Sequence, residues 1–121
     1  MQDLEIVFYE KEDGTKPAKD FILGLDVKMR AKMFRCVDML RKNGSKLREP
    51  TSKPLDDGIM ELRAKVGSDI SRVLYFFVVG NKAVLTNGFI KKTQKTPRAE
   101  IEIAKKYKND YLSRKEGKTD E

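Results

Sequence analysis

The sequence contains no histidine, no tryptophan and a single cysteine, Cys36. Without histidine there can be no Ser-His-Asp triad, no Cys-His pair and no histidine-based zinc site. One cysteine cannot form an internal disulfide, so a reducing environment is expected. No apolar run approaches the ~20 residues needed to span a bilayer. The opening stretch, MQDLEIVFYEKEDG, lacks the apolar core and cleavage site of an export signal. A cytoplasmic protein with no membrane association is the expectation. Walker loops, GxGxxG and CxxC are all missing, so no cofactor is implied. Asp56-Asp57 and the acidic stretch 10–13 read as loop carboxylates, and no metal site is expected.

Charged residues are plentiful. At 121 residues, 39% hydrophobic and 37% charged, the chain suits one folded domain with a heavily charged surface. The net charge of +7 is unevenly spread. Residues 1–27 carry three basic side chains against seven acids, whereas residues 28–53 carry nine against two. Residues 54–98 carry eight against four, and residues 99–121 balance at six of each. A central excess of this kind attracts polyanions such as RNA, DNA or an acidic protein.

Residues 4–9, rich in branched and aromatic side chains, predict a first strand. Pro17 opens a short helix to about Leu23, ended by Gly24. Asp26 is a plausible N-cap for a helix over 27–43, with Met29, Met33, Cys36, Val37 and Leu40 on one face and Asn43-Gly44 at its end. Residues 44–57 read as a loop. Residues 60–66 alternate as a half-buried strand, 70–79 form an almost wholly apolar central strand, and 83–92 a third. Pro97 opens a last helix over 98–112, and 113–121 is a polar tail. The expected class is α+β in the order β-α-α-β-β-β-α, an antiparallel sheet packed against helices, with residues 1–112 as the domain.

Hairpin register gives this pattern chemical content. A two-residue turn at Gly67-Ser68 pairs Val66 with Asp69 and Arg63 with Arg72. A two-residue turn at Gly80-Asn81 pairs Val79 with Lys82 and Arg72 with Phe89. Since side chains alternate, Glu61, Arg63, Lys65, Arg72, Phe89 and Lys91 then share a face. Two arginines opposite one another need something negative between them. Glu61 could supply it, leaving an ion-paired face. An RNA phosphate could also supply it, with Phe89 as a platform for a stacked base.

ELR at 61–63, RVLYFF at 72–77 and GFIKKTQKTP at 88–97, followed by Glu100, Ile101 and Ala104, resemble the phage-derived HigB branch of the RelE/ParE toxin superfamily. The resemblance runs from about residue 4 to 112. It implies a RelE-like fold and the toxin of a type II toxin–antitoxin pair. Such a toxin is a metal-independent endoribonuclease that cleaves mRNA, often in the ribosomal A site. The implied partner is a helix-turn-helix, HigA-like antitoxin, and operator DNA would be met only through the toxin–antitoxin complex. The resemblance assigns catalysis to Arg63, Arg72, Lys91 and Lys92, and RNA contact to Lys65, Phe89, Gln94 and Lys95. Some relatives use a histidine or a C-terminal tyrosine. Histidine is missing here, and Tyr107 and Tyr111 are not clearly at that place, so no general base is assigned. A ParE-like gyrase poison and a non-catalytic nucleic-acid-binding regulator are the alternatives.

Overall fold

The structure is a computed structural model that describes residues 3–79, 81–90 and 95–119, with side chains through Arg114. The order is β1 (Glu5–Phe8), α1 (Pro17–Leu23), α2 (Val27–Asn43), a 3-10 turn (Gly44–Lys46), β2 (Ser52–Pro54), β3 (Met60–Val66), β4 (Asp69–Val78), β5 (Lys82–Ile90) and α3 (Arg98–Thr119). The strands form one sheet in the order β1-β5-β4-β3-β2.

The α+β architecture is as expected, but the sheet is mixed, not antiparallel, because β1 runs parallel to β5. The two helices that separate β1 from the hairpins give the chain the length that a parallel crossover needs. A short edge strand, β2, occupies part of the expected 44–57 loop and pairs with β3. The last helix continues to Thr119, through residues expected to form the polar tail.

Local signals act as read for α2. The Asp26 side chain accepts from the Met29 amide at 2.9 Å, capping the first turn. Gly44 ends the helix at φ 56°, its amide bonded to the Leu40 carbonyl. Met29, Met33, Cys36 and Leu40 are buried against the sheet face made by Leu62, Ala64, Val73, Tyr75, Ala83 and Leu85. Each large apolar side chain buried there contributes roughly 1.5–3 kcal/mol.

Helices cover both faces. α3 lies across the other side, where Ala104, Tyr107, Tyr111 and Leu112 pack on Leu74, Phe76 and Val84. The face that carries Arg63, Arg72 and Phe89 is therefore not open sheet. Over its β4 and β5 part it is covered by α3.

Candidate functional site at the end of the sheet

The first hairpin has the expected register. Val66 pairs with Asp69 and Arg63 with Arg72 across a two-residue turn whose Gly67 has φ 62°. The second reaches the expected pairing of Arg72 with Phe89 by another route. Val78, not Val79, pairs with Lys82, leaving three residues between the strands. Asn81, the third, has φ 72°, which fits a three-residue hairpin ending in a left-handed residue. That displaces the register by one. A bulge between Leu74 and Tyr75 then absorbs one extra residue, Thr86, and restores it. The Thr86 hydroxyl donates to the Leu74 carbonyl at 3.1 Å, which holds the bulge. Arg72 and Phe89 thus share a face because two departures from the simple hairpin cancel.

Glu61 stands at the centre of the cluster. Its carboxylate lies 3.5 Å from Arg63 Nε and 4.0 Å from Arg72 Nη1. It also accepts a hydrogen bond from the Thr96 hydroxyl, which ties the entrance of α3 to the sheet. Glu61 is 1% exposed and Arg72 has no exposure at all, whereas the Arg63 side chain keeps 15%. The Arg72 guanidinium lies 6.0 Å from the Phe89 ring centroid, within cation–π range. Burial pulls Arg72 below the ordinary arginine value; Glu61 opposes that pull and Arg63 adds to it. It remains a cation at any working pH.

Arg72, expected on an accessible face, is buried beside Glu61 and Phe89. Arg63 is partly exposed, and Lys65 and Lys95 are exposed. Phe89 is half-buried beside them. Lys91, Lys92 and Gln94 lie outside the described residues.

Two contributors were not legible beforehand. Lys53 sits on β2 directly across from Glu61, so its side chain belongs to the same face. A three-residue strand ending in Pro54 has no alternation by which to find it. Thr96 read only as the approach to a helix, and nothing local marks its reach to Glu61. Asp56 and Asp57 act as staples to α3: Asp56 meets Arg98 at 2.7 Å and Lys105 at 3.1 Å, and Asp57 meets Lys105 at 2.6 Å. Among the described residues no group of three or more histidine, cysteine or acidic side chains could hold a metal ion. Nor is any helix among them long and apolar enough to cross a membrane.

A profile of the family described as phage derived protein Gp49-like (DUF891) matches residues 20–109. The chain belongs to this family. It is a RelE/ParE-like toxin family, associated with toxin–antitoxin systems, which implies an antitoxin as partner. The matched segment of the Gp49-like chain contains the whole cluster from Lys53 to Thr96. No curated protein matches the sequence.

Proposed function

We propose that this Gp49-like protein is the toxin of a type II pair, of the HigB type, and cleaves mRNA as an endoribonuclease on the translating ribosome. The observation that carries the reading is the juxtaposition of Arg63, Glu61, Arg72 and Phe89 at one end of the sheet, bordered by Lys65 and Lys95.

Cleavage of this class starts with attack of the ribose 2′-oxygen on the adjacent phosphorus. The bond to the 5′-oxygen breaks, leaving a 2′,3′-cyclic phosphate and a 5′-hydroxyl. The 2′-hydroxyl proton goes to a base, and the departing 5′-oxygen takes up a proton. Charge grows on the non-bridging oxygens in between, so a fixed cation beside them is worth most. Arg63 is the group placed for that task. Arg72 is a positioning residue: it steadies Phe89, on which a base stacks, and Glu61, which in turn orients Arg63. Lys91 and Lys92 are the candidates for proton transfer. With so few groups to align the substrate, a requirement for the ribosome follows naturally, since the ribosome presents mRNA already ordered.

Arg63→Gln decides the matter better than Arg72→Ala, because Arg72 is part of the core. Induction of the wild type is expected to arrest growth and leave discrete cuts in coding regions, mapped by primer extension. Arg63→Gln should remove the cuts while a helix-turn-helix antitoxin from the adjoining reading frame still binds. Arrest with intact mRNA and broken DNA would point instead to a gyrase poison. Binding without arrest would point to a regulator.

A further inference from the structure

We propose that the site extends past the edge of the sheet into a second compartment, a phosphate-binding subsite built around Lys53 for a nucleotide flanking the cut. The inference rests on the nuclease reading. A recess of about 410 Å³ opens beside Thr96, between β2 and the start of α3. Lys53, Lys95 and Arg98 stand around it, and Leu55 and Ile101 line its apolar part. Asp56, the acid among its described lining residues, pairs with Arg98 and Lys105, and Arg98 also pairs with Glu102. The charge left for a ligand therefore centres on Lys53. Among the described residues no carboxylate lies within ion-pair distance of Lys53, which is half-buried and held by the pairing of β2 with β3.

Position makes this a continuation of the cluster. Lys53 faces Glu61 across the strand pair, and Glu61 binds both Arg63 and Thr96. A single strand whose scissile phosphate lies at Arg63 can continue over Thr96 into the recess. Its next phosphate then meets Lys53, and its base lies against Leu55 and Ile101. A cation held on a strand at the end of the path suits backbone capture, which requires charge without base recognition.

The test is cleavage of a reporter mRNA in a translating extract with purified toxin, the cuts quantified by primer extension over a range of salt. Lys53→Gln is expected to raise the half-saturating concentration about fivefold, leave the maximal rate near wild type, and flatten the log–log salt slope by about 0.7, one single-strand phosphate contact. Lys53→Glu should weaken binding further. Lys46→Gln, in a separate recess beside Phe77 and Lys82, should change nothing. Thermal unfolding of each variant reports whether the fold is kept. If the wild type cleaves and Lys53→Gln matches it in half-saturation and slope, the subsite is wrong and the nuclease reading stands. A fall in maximal rate at unchanged half-saturation would also overturn the subsite, by placing Lys53 in the chemistry. If the wild type makes no cuts, both readings fall.

Discussion

Most charged pairs in this protein contribute little to its stability. The Arg41 pairs with Asp3 and Asp38 leave both partners more than a third exposed, so solvent screens them and they add little. Glu61 is different, because it is buried and two guanidinium groups lie within 4.0 Å of its carboxylate. Removing one member of a buried ion pair typically costs about 3–5 kcal/mol. Glu61→Leu is therefore expected to destabilise by that amount in urea unfolding. Adding Arg72→Met should recover much of the loss, since an apolar pair of similar volume needs no compensation. A Glu61→Leu variant within 1 kcal/mol of wild type would show that the carboxylate is not what holds the arginines. The residue that specifies the cluster is thus not among those expected to carry the chemistry. Glu61 entered the sequence reading only as one of two possible counter-charges, and the structure places it in that role.

Among the elements, β5 carries the most constraint. It is paired on both edges and bulged at Thr86, and α1 presses on it at Gly88. A Cβ at position 88 would lie 2.3 Å from Cδ2 and 2.7 Å from Cγ of Phe21. No flexible chain end is available to move aside, because the obstacle is an aromatic ring. Gly88→Ala is expected to destabilise by about 1–3 kcal/mol, as overpacked cores do. Phe21→Leu should cost less in the Gly88→Ala background than in the wild type, a coupling that a double-mutant cycle of unfolding energies measures. Independent effects would mean that Gly88 is required for another reason. The same element shows where sequence reasoning succeeds and where it stops. The cap at Asp26 and the stripe from Met29 to Leu40 are local, so α2 was legible. The Gly67-Ser68 turn is local too, and it carried the Arg63–Arg72 pairing. The bulge at Thr86 answers a three-residue turn several residues away, and no single residue signals either. The parallel partner of β1 is set by a crossover of more than seventy residues. β2 exists only because β3 offers it an edge.

For the molecule as a whole, α3 is the closing piece, and it is fastened to Tyr9, the residue that follows β1. The Tyr9 hydroxyl donates to Asp110 at 2.6 Å, its ring stacks on Tyr107 at 4.5 Å, and the Arg114 guanidinium lies 5.5 Å from the ring centroid. Burial first, then the bond to Asp110 and that residue's charge, push the Tyr9 hydroxyl up to about 12. The same bond, with Arg114, holds the Asp110 carboxyl below its ordinary value. An unfolded chain begins to release the tyrosine proton near pH 10, while the folded chain keeps it to about 12. Between those values the unfolded state binds fewer protons, so stability falls as pH rises. Asp110 acts at the acid end: its contribution is whole above its unfolded value and fades as pH drops through the lower folded one. Tyr9→Phe keeps the stack and removes the bond. At neutral pH it should lower the stability measured in urea unfolding, because the bond to a charged group is lost. Lysine titration in the same alkaline range is common to both proteins and cancels in their difference. The stability gap between wild type and Tyr9→Phe should therefore hold steady through neutral pH and narrow from pH 10 upward. A gap that stays constant to pH 12 would mean that the Tyr9 hydroxyl titrates normally and that its bond to Asp110 does not shift it.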